Sequence, residues 1–149
     1  MQQKIFRSKA FIAACMILFA MTALSYIPIV FDRGNSVTKI TLNPPAPNIL
    51  LNNQKITITF SYATTQPEGV HIFARPISDG SPSANYAASS APISPTGSGT
   101  GTQNFTITSG NITVDQVRFQ MYNADQSRLL FEAFVPVHYE FLIDRKSVV

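Results

Sequence analysis

The sequence predicts an all-β fold: an antiparallel two-sheet sandwich of about seven strands, preceded by one N-terminal transmembrane or signal helix. Three observations predict it. Residues 10–30 form one uncharged apolar run, and no stretch beyond residue 31 keeps a helical periodicity. Beyond residue 36, apolar and polar residues alternate with a period of two in segment after segment, the pattern of strands with one face on a core and one in water. Clusters of Gly, Pro, Asn, Asp and Ser separate those segments as turns do.

The run from Ala10 to Val30 reads AFIAACMILFAMTALSYIPIV, and about 20 apolar residues are enough to cross a bilayer as a helix. Lys4, Arg7 and Lys9 precede it, while Asp32 and Arg33 follow and cancel. Positive flanks stay in the cytoplasm, so the domain after the run is expected outside. As a signal peptide its h-region would run from Ala10 to about Thr22, with cleavage at the small residues Ala23-Leu-Ser25, and the domain would be secreted. As an anchor it continues to Phe31 and holds membrane lipid through residues 10–30. A signal h-region spans about 7–15 residues, shorter than this run, which favours the anchor. Cys15 after Ile12-Ala13-Ala14 resembles a bacterial lipobox, yet the run continues past it, and a small apolar residue in a helix explains it. Lys9-Ala10-Phe11-Ile12 resembles the processing site of archaeal-type pilins, which implies a helix packed in a fibre core. The expected organisation is a basic end plus anchor or signal over 1–31, a linker over 32–36, the β-domain over 37–143 and a tail over 144–149.

The net charge of +3 belongs to the leader: beyond residue 31 eight basic residues balance eight acidic ones. A neutral domain lacks the electrostatic footprint of a nucleic-acid binder. Cys15 is the only cysteine, so the exported part has no disulfide and must rely on its hydrophobic core. Asn104-Phe-Thr106 and Asn111-Ile-Thr113 match the glycosylation triplet, but both sit in Thr-rich strand text.

Val37 to Leu42 alternates and reads as a strand that Asn43-Pro-Pro-Ala-Pro47 ends. Ile49 to Leu51 is a short apolar piece. Lys55 to Tyr62 is the clearest strand, with Ile56, Ile58, Phe60 and Tyr62 on one face. Gln66 to Gly69 turns, and Val70 to Arg75 is a strand that Pro76 is expected to close. Residues 77–102 are rich in Gly, Ser, Pro and Thr. Since a long structureless loop is improbable in a compact domain, short pairing is expected near Tyr86–Ala88 and Ile93, with Ser94 to Gly101 mobile. Those glycines are no phosphate loop, because no lysine and no helix follow them. Asn104 to Thr108 is a strand, Ile112 to Asp115 a corner, and Val117 to Met121 a strand with odd positions inward. Leu129 to Val135 and Val137 to Leu142 continue around Pro136, which is expected at a bulge or an edge.

The stretch Asp115-Gln-Val117-Arg-Phe119-Gln-Met121 resembles the sixth strand of immunoglobulin-like domains, and the whole pattern is similar to immunoglobulin-like or fibronectin-type-III-like modules. Phe119 stands where the family has its corner tyrosine, Met121 where it has a cysteine, and no tryptophan exists to fill the core, a place left to Ile72 or Phe73. The resemblance implies a fold and no particular activity.

Catalysis needs a nucleophile beside a base, paired carboxylates, or a metal. His71 and His138 are the only histidines, both in alternating strand positions expected to face the surface. Two histidines without clustered acids fall short of a zinc site, and no Gly-x-Ser-x-Gly elbow is present. Asp79, Asp115 and Asp125 lie in separate turns, unlike the closely spaced acids of a calcium loop. No catalytic residue, cofactor or metal is therefore expected, and the chain is not expected to be an enzyme. Tyr86 and Tyr122, at loop or strand ends, are the candidate binding surface, for protein or glycan. The sequence points to an exported, membrane-anchored, non-catalytic module for protein interaction or cell-surface structure. The alternatives are a pilus-like filament subunit and a secreted carbohydrate-binding domain.

Overall fold

A computed structural model of the chain describes residues 27–31 and 33–147. Its strands are β1 (Ile27–Phe31), β2 (Ser36–Asn43), β3 (Asn48–Leu51), β4 (Ile56–Thr64), β5 (Val70–Ser78), β6 (Ser81–Pro82), β7 (Tyr86–Ala88), β8 (Ile93–Ser94), β9 (Gly97–Ile107), β10 (Ile112–Asn123) and β11 (Leu129–Leu142). A short 3-10 turn follows at Arg145–Ser147. The larger sheet runs β1-β11-β10-β5-β6, with β3 also on β11 and β8 also on β5; the smaller runs β2-β4-β9-β7. Every pairing is antiparallel except that of β3 with β11. The expected all-β, two-sheet architecture is thus what the chain adopts.

One apolar cluster draws on both sheets. Ile56, Ile58, Phe60 and Tyr62 of β4 are all buried, as their spacing requires, and Val117, Phe119 and Met121 of β10 are fully so. Of Ile72 and Phe73, Ile72 enters the core and Phe73 is on the opposite face of β5. Phe60 of the smaller sheet meets Phe119 of the larger edge to face, ring centres 5.6 Å apart.

Three expectations change. Residues 10–26 of the apolar run lie outside the described residues, but its last four belong to β1. Ile27 pairs opposite Phe134 of β11, and Phe31 opposite Phe131. Ile27, Ile29 and Val30 are β-branched and suit a strand as well as a helix. Among the described residues the β-structure begins at Ile27, and residues 33–35 of the expected linker lie on the crossing from the larger sheet to the smaller. Gly34 turns it at φ 94°, and buried Asn35 is fastened by Thr64, whose hydroxyl donates to Asn35 Oδ1 over 2.7 Å. Among the described residues no helix is long and apolar enough to cross a membrane.

The second change concerns residues 77–102. The short pairing at β7 and β8 is there, but the glycine repeat expected as a mobile loop is the start of β9, hydrogen-bonded along β4. Gly99 faces Tyr62 and Gly101 faces Phe60. A Cβ on Gly99 would come within 2.8 Å of the Tyr62 hydroxyl, and one on Gly101 within 2.5 Å of Phe60 Cζ. The aromatic rings of one strand occupy the space that side chains of the other would need.

Third, the prolines. Pro76 does not close β5, which runs on to Ser78. Its carbonyl accepts from Ser83 N over 3.0 Å. The ring nitrogen of the same residue faces that margin too, so no rung to β10 is lost. Pro136 sits at an irregularity, as expected: the β10–β11 register shifts between Val114 and Gln116, and Gln116 is opposite Pro136. The expected corner at Ile112–Asp115 is that bulged start of β10.

Candidate functional site

The reactive side chains are dispersed. His71 is half-buried rather than surface-facing: its Nδ1 lies 2.6 Å from the Ala91 carbonyl and its Nε2 3.1 Å from that of Ala124. The ring is a strut between the segment before β8 and the turn after β10. His138 is exposed, 3.0 Å from Glu140 Oε1, on a strand that β10 separates from β5. Asp115 Oδ2 accepts from Asp79 N over 2.8 Å. Asp125 accepts from the Ser127 hydroxyl and amide, and the hydroxyl bond chiefly holds its carboxyl below the usual range. These acids fix turns. Among the described residues no three His, Cys, Asp or Glu side chains group so as to hold a metal ion.

Tyr86 and Tyr122 lie on different sheets, on β7 and β10, yet a line of side chains connects them. Tyr122 meets Phe73 edge to face at 6.0 Å, and Phe73 stacks on His71 at 6.3 Å. The Arg75 guanidinium lies 5.0 Å from the centre of the Phe73 ring. Tyr86, 38% exposed, is near enough to affect that guanidinium electrostatically. Arg75 also bonds the Ala74 carbonyl at 2.9 Å, and Gln103 Oε1 and the Ser89 carbonyl at 3.2 Å each. It thereby closes the sandwich margin between β5 and β9. Burial pushes its pKa down, Tyr86 pulls it up, and the like charge of Arg118 pushes it down again. Alternation along β5 and β10 put His71, Phe73 and Arg75 on one face and Arg118, Gln120 and Tyr122 on another. That these two faces are one depends on the register, Arg118 opposite Arg75 and Tyr122 opposite His71, which no local pattern reveals.

The opposite margin carries a second feature. β1 covers β11 from Phe131 to Phe134, and β3 covers it from Tyr139 to Leu142. Between them Val135 to His138 has no strand partner on that side among the described residues. Beneath this gap lies a groove of about 420 Å³, with Ile40, Leu42 and Ala46 on one wall and Val135, Pro136 and Val137 on the other. It opens where the β2–β4 register breaks between Thr38 and Thr41, with Lys39 at φ 49°. Past β3 the sheet ends in exposed apolar side chains: Ile49 at 63%, Leu51 at 42%, Leu142 at 38% and Ile143 at 45%. The chain matches no protein-family model, and no curated protein matches it.

Proposed function

We propose that this chain is an exported, membrane-anchored, non-catalytic module that binds protein partners through the edge of an immunoglobulin-like sandwich. The observation that carries the reading is the edge Val135–His138, which has no strand partner on its outer side among the described residues, above an apolar groove. A free edge offers backbone hydrogen bonds to an extended segment, and a groove beside it takes alternate side chains. The exposed rim of Ile49, Leu51, Leu142 and Ile143 adds apolar contact area. The immunoglobulin-like assignment is supported by the strand order. β2-β4-β9-β7 faces β11-β10-β5, matching the four- and three-strand halves of that sandwich. The membrane assignment rests on the run left before β1, 17 residues from Ala10 to Tyr26, the short end of the ~17–25 that cross as a helix.

Membrane fractionation with protease shaving of intact cells tests the reading. The anchored module predicts a membrane-bound chain whose sandwich is digested from outside; a domain that stays protected in the cytoplasm would end the proposal. A filament subunit is the second reading, favoured by the absence of a spacer between the apolar run and β1. N-terminal sequencing separates the two: a native start at Phe11 marks the fibre, and a start at residue 1 or 2 marks the anchor.

A further inference from the structure

We infer that the outer face of the larger sheet, between Arg118 and Arg75, holds a carboxylate of an acidic protein segment. This surface is separate from the β11 edge and does not depend on the edge-docking reading. Arg118 and Arg75 are directly opposite each other on adjacent strands. Like charges in that position destabilise a sheet unless a counter-charge joins them. None does so among the described residues. Arg75 spends its bonds on neutral oxygens of Ala74, Gln103 and Ser89. The carboxylate one rung away, Glu132, is turned to Gln120 and accepts from its Nε2 over 3.0 Å.

Arg118 makes no hydrogen bond or ion pair among the described residues, and its Nε is buried without an acceptor. That Nε has lost water and gained no acceptor in return, while the rest of the half-buried side chain stays open to a ligand. An incoming carboxylate can accept from its outer nitrogens in the forked geometry that guanidinium favours. Its neighbours suit a peptide. Phe134 is opposite Arg118 on the far side, and Gln120 and Tyr122 follow along β10 on the same face. They offer apolar contact and amide hydrogen bonds beside the charge. A sulfated polysaccharide fits less well, because it needs a row of cations, and the sequence beyond residue 31 is neutral.

The test titrates the full chain in mild detergent with the peptide Gly-Glu-Glu-Gly, its Gly-Gln-Gln-Gly counterpart, inorganic sulfate and a sulfated disaccharide. The arginine side-chain N–H resonances are followed by NMR. The acidic peptide is expected to shift the Arg118 resonance and the glutamine peptide to leave it in place. Arg118→Gln should weaken binding at least tenfold, while Arg118→Lys, which keeps the charge but loses the fork, should retain part of it. Lys55→Gln, at an exposed position before β4 on the other sheet, should change nothing. Equal binding of both peptides, binding unaffected by Arg118→Gln, or a preference for sulfate or the sulfated disaccharide would each overturn the inference. Failure of the shaving experiment would leave this result standing, because the two readouts are separate.

Discussion

The neighbouring strands β4 and β9 fill the same layer of the core by opposite means. β4 places a large side chain at every second position, from Ile56 to Tyr62. The facing half of β9 places glycine at every second position, at Gly97, Gly99 and Gly101. Where β4 brings Phe60 and Tyr62, β9 brings no side chain at all. Farther along, β9 brings Gln103, Phe105 and Ile107, all buried, and the strand becomes ordinary. A period of two can therefore be written in missing side chains as well as in apolar ones, provided the partner strand supplies the volume.

The comparison breaks most visibly at Phe60 and Gly101. Phe60→Ala removes a ring that bridges Gly101 and Phe119, and should cost about 3–5 kcal/mol. Gly101→Val forces a side chain into that ring and should cost about 1–3 kcal/mol by overpacking. The informative variant is the double. If the two positions share one volume, it should be less destabilised than the sum of the singles by about 0.5–3 kcal/mol. Urea denaturation of the full chain in mild detergent measures all three, and strict additivity would mean that the glycines serve some purpose other than making room.

This exchange of volume also marks how far the sequence could be read. Strands whose own side chains alternate were legible: β2, β4, β10 and β11 all lie where the pattern places them, and Pro136 sits at the irregularity its chemistry demands. Strands defined by a partner were not. The glycines of β9 look like a flexible loop until Phe60 and Tyr62 are set against them. The residues of β1 read as the end of a membrane run until the open side of β11 is known. Of the candidate surface, alternation could single out Tyr86 and Tyr122 as aromatics at element ends. Arg75 and Arg118 gain meaning only from register, because a cross-strand pair leaves no mark within either strand.

The two sheets differ in how a buried tyrosine leaves the core. On β11 Tyr139 is fully buried, and its hydroxyl donates to the Pro44 carbonyl over 2.7 Å, fastening the turn between β2 and β3. No hydroxyl is present at Phe119, where the immunoglobulin-like pattern has its corner tyrosine, and this bond on the neighbouring strand ties a loop down instead. Tyr139→Phe should cost about 1–1.5 kcal/mol, since the carbonyl loses its donor. Burial also pushes the Tyr139 pKa from about 10 up to about 12. A raised pKa means that the folded state keeps its proton after the unfolded chain has lost it. The stability tied to Tyr139 is then complete below about pH 10 and declines between about 10 and 12. Urea midpoints measured across that window should fall more steeply for the native chain than for Tyr139→Phe, and parallel profiles would count against the assignment.

The smallest effect is expected at the corresponding residue of the smaller sheet. Tyr62 also points inward and also ends on a proline carbonyl, donating to Pro95 O over 3.1 Å. Both bonds are partly buried, but this one is longer than that of Tyr139, so Tyr62→Phe should cost about 0.5–1 kcal/mol. What distinguishes it is the glycine beneath. A Cβ on Gly99 would meet the Tyr62 hydroxyl at 2.8 Å, the ring Cε1 at 2.9 Å and Cζ at 3.0 Å. Removing the hydroxyl relieves the nearest of three contacts and leaves two. Gly99→Ala should accordingly be only slightly better tolerated in Tyr62→Phe than in the native chain, by a few tenths of a kcal/mol, about the limit of a coupling measurement. A large rescue would place the conflict at the hydroxyl alone. No rescue would place it in the ring, as with Phe60 over Gly101.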